Sequence, residues 1–171
     1  YVDVIAKEAD KEITKGFGKG IKTNRVYHKL YQWIDATTNK YTISGDYMAS
    51  YIISPMAYMV AKRRPSVYDT FSDFSERPFS FYKRSVKTMK SKNREPAIAY
   101  VFERVPMLMT ISLEQGTYTW PQKQFNFEYS NDPLSQYVKN NMILVDKFII
   151  SQKNDHIVRC FVDKKRIKAS N

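Results

Sequence analysis

Asp146, Asp163 and Lys165 are the residues whose types and spacing come nearest to catalytic chemistry. Met142–Ile150 and His156–Lys165 are β-prone segments on either side of Gln152-Lys153-Asn154-Asp155, which predicts an antiparallel hairpin. A turn centred near Lys153-Asn154 sets Asp146 opposite Phe161, and Asp163 and Lys165 then share that face. Carboxylates on adjacent strands with a lysine two residues on can hold Mg²⁺ and orient a water against a phosphodiester.

Asp163-Lys164-Lys165 loosely resembles the second half of the D…(D/E)-x-K arrangement of restriction-type nucleases. A third acid and a preceding proline are missing, Asp163 falls at the fraying end of the hairpin, and surface ion pairs between strands account for the same residues. The other reactive side chains are more isolated. His28 and His156 are far apart and fall in no HxxxH or HExxH pattern, so both read as surface or packing residues. Cys160 follows His156 by four positions on the predicted strand. At about 3.3 Å per residue that is roughly 13 Å, too far for a direct Cys–His dyad. A single cysteine also leaves no internal disulfide framework and no cysteine-based zinc cluster. Gly16–Gly20, GFGKG, invites a phosphate-loop reading but fails it. Lys19 is followed by Gly20 instead of Ser or Thr, and a helix, not a strand, is expected before it. No cofactor or metal is expected.

Charge points elsewhere. The 171 residues carry a formal net charge of +11, a field that favours polyanions. The cations gather in three places: the Lys15–Arg25 turn, the run Lys83, Arg84, Lys87, Lys90, Lys92 and Arg94 with no acid among them, and Lys164, Lys165, Arg166 and Lys168. Phe79, Phe81 and Tyr82 lead directly into the middle run. Rings for stacking and cations for phosphates are the ingredients of a nucleic-acid surface, while core rings beside a solvated loop explain the same string.

The elements expected to position these residues start with an amphipathic helix marked by Val2, Ile5, Ala6, Ala9 and Ile13, ending at the glycines. Asn24 or Thr23 caps a second helix through Ala36, followed by a polar connection over Thr37–Thr42. Ser44–Arg64 then reads as a central helix: Met48, Tyr51, Ile52, Met56, Met59 and Val60 keep helical spacing, and no charge lies between Asp46 and Lys62. Pro55 should kink it, and its length falls short of a membrane span. Its lack of polar side chains suits packing better than groove reading, and its end, Lys62-Arg63-Arg64, points toward the basic segment. Val67, Tyr68, Phe71 and Phe74 suggest a short helix ended by Pro78. Lys83–Arg94 is read as an exposed loop or short helix joining two halves.

Beyond Pro96 the periodicity shifts toward two. Ala97–Arg104 and Met107–Glu114 read as strands, Gln115-Gly116 as a turn, and Lys123–Tyr129 as a strand with Phe125, Phe127 and Tyr129 on one face. Asp132-Pro133 signals a cap and first residue of a short helix to Asn140.

The expected fold is α+β in a single domain over 1–171: helices to about residue 82, a basic connector over 83–95, a mainly antiparallel sheet over 96–165 and a basic tail over 166–171. The expected function is a non-enzymatic, basic structural component of a larger assembly, of ribonucleoprotein or virion type. It would contact RNA or DNA backbone without strong sequence reading, through Lys83–Arg94, Arg63, Arg64, Lys164, Lys165 and Arg166. The alternatives are a protein–protein assembly part such as a phage connector or tail component, and the Mg-dependent nuclease of Asp146, Asp163 and Lys165. Partner subunits and no membrane span go with this reading, in an intracellular or virion setting. One thiol is compatible with a reducing compartment, and a start at Tyr1 instead of Met fits a processed or truncated chain.

Overall fold

Lys11 and Glu12 lie in register with Thr23 and Lys22, and these pairs form two short antiparallel strands, β1 (Lys11–Glu12) and β2 (Lys22–Thr23). The structure is a computed structural model that describes residues 9–14, 18–51, 55–67, 79–103, 110–113, 116–119, 127–151 and 156–168. The helix expected over residues 2–13 is therefore corrected to a strand where it is described, and its first residues lie outside the described set. Pairing carries Ile13 into the core, and its amide donates to the Ile21 carbonyl at 3.0 Å.

Helix α1 (Arg25–Tyr41) starts as expected, with Asn24 Oδ1 accepting the Tyr27 amide at 2.9 Å. It runs five residues past Ala36, through the expected polar connection. The cause is tertiary: Thr37 and Thr38 turn their hydroxyls onto the buried Tyr100 phenol, at 2.6 and 2.8 Å, instead of into solvent.

Ser44–Arg64 is the main correction. It is not one helix but strand β3 (Tyr47–Tyr51), helix α2 (Pro55–Ala61) and a two-residue strand β4 (Arg64–Pro65). Gly45, at φ +97°, turns the chain into β3, a conformation that L side chains rarely adopt. Met48, Ala49, Ser50 and Tyr51 are all buried, as befits a strand flanked by strands and covered on both faces. An uncharged run reports burial on every side, and a doubly covered strand meets that condition as well as a helix. Pro55 begins α2 instead of kinking a longer helix; at the first turn its missing N–H costs nothing.

Helix α3 (Phe79–Ser91) turns most of the basic connector into regular structure. Strand β5 (Pro96–Glu103), expected over Ala97–Arg104, is buried along its whole length. Strands β6 (Thr110–Leu113) and β7 (Gly116–Thr119) pair antiparallel. Gly116, expected in a turn, opens β7. Phe127–Tyr129 is a turn, not the end of an alternating strand, because the buried Glu103 carboxylate accepts the Phe127 amide at 2.9 Å and holds it there. The remainder of the expected strand Lys123–Tyr129, the expected helix beyond Val67 and the tip of the C-terminal hairpin lie outside the described residues. Helix α4 (Pro133–Asn141) has the expected cap, Asp132 Oδ1 accepting from the Leu134 and Ser135 amides. The predicted hairpin is present as β8 (Met142–Ser151) and β9 (His156–Asp163), and a short helix, α5 (Lys164–Lys168), replaces the end of the last strand and the start of the basic tail.

Helices and strands are both present, but the sheet is mixed. Its order is β4-β3-β5-β9-β8, with β3 parallel to β4 and β5, and β9 antiparallel to β5 and β8. The expected mainly antiparallel sheet failed because its parallel half, β3 and β4, lies inside the segment read as helix. Tyr100, Ser50 and Phe148 face α1 and α2: Tyr100 meets Thr37, the Ser50 amide donates to the Tyr58 phenol, and Phe148 packs on Trp33. Tyr51, in register with Val101, faces the other way and takes a hydrogen bond from Ser135 of α4, which packs beside α3. Helices therefore cover both faces of the sheet.

Candidate nucleic-acid interface

Each of the four longer helices leads into a strand at the same end of the sheet: α1 into β3, α2 into β4, α3 into β5 and α4 into β8. The register agrees, with Tyr47 facing Arg64 and Pro96, and Met142 facing Asp163 at the end of β9. Four helix C-termini thus share one end of the molecule, and their dipoles make it favourable ground for cations. Lys40, Lys90 and Lys139 occupy last turns. Arg63 serves two helix ends at once, donating from Nη1 to the Ala61 carbonyl at 3.0 Å and from Nη2 to the Thr42 carbonyl and Asn39 Oδ1, both at 3.3 Å. Lys164 Nζ donates to the Asn140 carbonyl at 2.6 Å.

The structure brings the middle and last basic segments together at this end. Among the described residues, Arg63, Arg64, Lys90, Lys92, Arg94, Lys164, Lys165 and Arg166 lie there with three carboxylates, Asp46, Glu95 and Asp163. Arg166 pairs with Asp46, which joins the last helix to the entry of β3. Lys90 Nζ sits 5.6 Å from the centre of the Tyr137 ring, and the Arg94 guanidinium 6.0 Å from that of Tyr47. Arg64, Lys92 and Lys165 are exposed. From Lys90 the positive charge continues along α3: Lys83, Lys87 and Lys90 fall at i, i+4 and i+7 on one exposed stripe of about 10 Å, with Arg84 beside it. The opposite stripe buries Tyr82 and Met89. Of the first basic segment, Lys22 and Arg25 lie where α1 begins, at the other end of the sheet and away from this surface.

Two rings that no run of charge marks belong to this surface: Tyr47 lies under the Arg94 guanidinium and Tyr137 under the Lys90 ammonium. Arg63, expected among the binding cations, directs its donors at the ends of α1 and α2; an arginine two residues past a helix end is the sequence signal for such a clamp.

Asp146, Asp163 and Lys165 are not brought together. A shift in register between Leu144 and Asp146 pairs Asp146 with Cys160, where Phe161 was expected. One residue of slip moves a side chain to the other face. Asp146 accordingly faces α1, its Oδ2 accepting from Trp33 Nε1 at 2.8 Å, whereas Asp163 faces the α4 side, near Tyr137. Asp163 Oδ1 accepts the Lys165 amide at 2.9 Å and so caps α5. Burial pushes the Cys160 thiol up to about 12, so it stays protonated, and His28 lies half-buried on α1. Among the described residues no group of three histidine, cysteine, aspartate or glutamate side chains is placed to hold a metal ion, and no helix is long and apolar enough to cross a membrane. Comparison with protein-family models, with curated proteins and with solved structures gives no match to this chain.

Proposed function

We propose that this protein is a non-catalytic, basic component of a larger assembly of ribonucleoprotein or virion type, and that it contacts nucleic-acid backbone through the cationic end of the sheet and the lysine stripe of α3. One observation carries the reading: cations from segments about 30 and 70 residues apart in the chain meet at one end, in excess of the carboxylates there, and extend along one helix. Part of that charge serves the helix ends. Arg64, Lys83, Lys87 and Lys165 are exposed, and hydrogen bonds to helix carbonyls do not explain them. Such a surface favours phosphates without reading bases.

The test is binding to mixed-sequence DNA and RNA across a salt series. Affinity should fall linearly in log–log form, and each phosphate contact removed should lower the slope by about 0.7–0.9. Replacing Lys83, Lys87 and Lys165 with alanine should flatten it by roughly two to three. Absence of binding at low salt, or a slope unmoved by the triple variant, would sink the reading.

A second reading, a protein–protein assembly part, is favoured by β8. It is an edge strand of the five-stranded sheet, with Ile143, Leu144 and Ile149 each more than 40% exposed.

A further inference from the structure

Four polar residues of α1, His28, Gln32, Asp35 and Asn39, fall at i, i+4, i+7 and i+11 on one side of the helix. They border a cavity of about 400 Å³, within the range of small-molecule sites. Ile13, Tyr31 and Val60, all buried, give it an apolar floor. In a protein of charge +11, its described lining holds one carboxylate and no lysine or arginine. Among the described lining residues a phosphate meets no cation, whereas Asp35 favours a ligand that is uncharged or cationic there and presents N–H donors.

The carboxylate is held in place. Asn39 Nδ2 donates to Asp35 Oδ1 at 3.0 Å, and Asn39 Oδ1 in turn accepts from Arg63 Nη2. That chain fixes which way the Asn39 amide points and leaves Asp35 acceptor capacity for a ligand. It also ties the cavity to the cationic end of the sheet, because Arg63, outside the lining, hydrogen-bonds Asn39 within it.

We propose that this cavity takes a single unstacked guanine base from a strand whose phosphates lie along the cationic end of the sheet, at exposed cations such as Arg64. Guanine carries adjacent N1–H and N2–H donors on one edge, the pattern a carboxylate accepts as a pair, and its remaining face is apolar enough for the Ile13, Tyr31 and Val60 floor. The Gln32 amide and the His28 ring lie along the same wall to meet its other edge. The proposal rests on the nucleic-acid reading above and adds a base preference to it.

The experiment uses the whole chain and separates the two. Guanosine, adenosine and uridine, which lack phosphate, are titrated into isotope-labelled protein by NMR, and an oligouridylate is titrated in parallel across salt. Guanosine should shift amide resonances around Gln32, Asp35 and Ile13 with an affinity independent of salt. It should bind at least about tenfold tighter than the other nucleosides. Asp35→Asn, at a half-buried position that tolerates the isostere, should remove that preference and leave oligouridylate binding unchanged; Gln32→Ala is the second variant if the first alters the spectrum globally. Oligouridylate binding without any guanosine response would overturn the cavity proposal and spare the backbone reading. Guanosine binding without oligouridylate binding would keep guanine in the cavity but overturn the strand that the proposal places there, together with the backbone reading. Equal response to all three nucleosides would overturn the assignment to guanine.

Discussion

Tyr100 shows how much one side chain decides. Its phenol, fully buried on β5, donates to the Ile34 carbonyl at 3.0 Å and meets the hydroxyls of Thr37 and Thr38. This network is what extends α1 beyond its amphipathic stretch. Tyr100→Phe leaves buried polar groups without a partner and should cost about 1–3 kcal/mol in chemical denaturation. Thr37→Val combined with it should cost less than the two separately, since the same bond is lost once. His156 is a different case. It is buried, its Nε2 has no hydrogen-bond partner among the described residues, and burial lowers its pKa below the ordinary 6.5. The unfolded chain then binds the proton more readily than the folded one. Stability from this group is complete above pH 6.5 and is lost as pH falls below it toward the lower folded value. Denaturation midpoints at pH 7.5 and 5.5 should differ, and His156→Phe should narrow that difference; an unchanged difference would remove His156 as its source.

Elements fix where charge and apolar surface go. Helix α3 takes the basic run, expected as an exposed loop or short helix, and sorts it, cations outward and Tyr82 and Met89 inward. In Lys62, at φ +52°, a non-glycine residue ends α2 in the left-handed region, and the chain reverses there so that Arg63 reaches back to both helix ends. Strand β8 leaves Ile143, Leu144 and Ile149 exposed while Lys147 interrupts them, a charge of the kind that guards sheet edges. If β8 is an assembly contact, sedimentation should show concentration-dependent mass above the 20.1 kDa of one chain, and Ile149→Lys should return it to that value. A single 20.1 kDa species at every concentration would remove this reading.

At the scale of the whole molecule, a mixed sheet with parallel neighbours and four helices running the same way gives the two ends opposite character. Helix C-termini converge at one end and helix N-termini, α1 and α4 among them, at the other. The cations follow the C-termini, and this makes the salt test sharper. Neutralising Lys22 and Arg25, at the far end, should leave the slope of binding unchanged, whereas Lys83, Lys87 and Lys165 should lower it. Equal effects from both sets would mean that net charge, not the shaped surface, does the binding.

Caps, proline positions and alternation are contiguous signals. For that reason Asn24, Asp132-Pro133, the existence of strand β5 and the β8–β9 hairpin were legible before any fold was known. So was the charge and its division into runs. An uncharged segment tells only that it is buried, so whether Met48–Tyr51 is helix or strand was decided by neighbours that arrive later in the chain. A bulge of one residue flips a face, so the separation of Asp146 from Asp163 was settled by pairing. The meeting of Arg63, Arg94 and Arg166 at one end, and the cavity beside α1, depend on contacts across dozens of residues. Local chemistry is written in the sequence; which local pieces become one surface is set by the sheet order that brings them together.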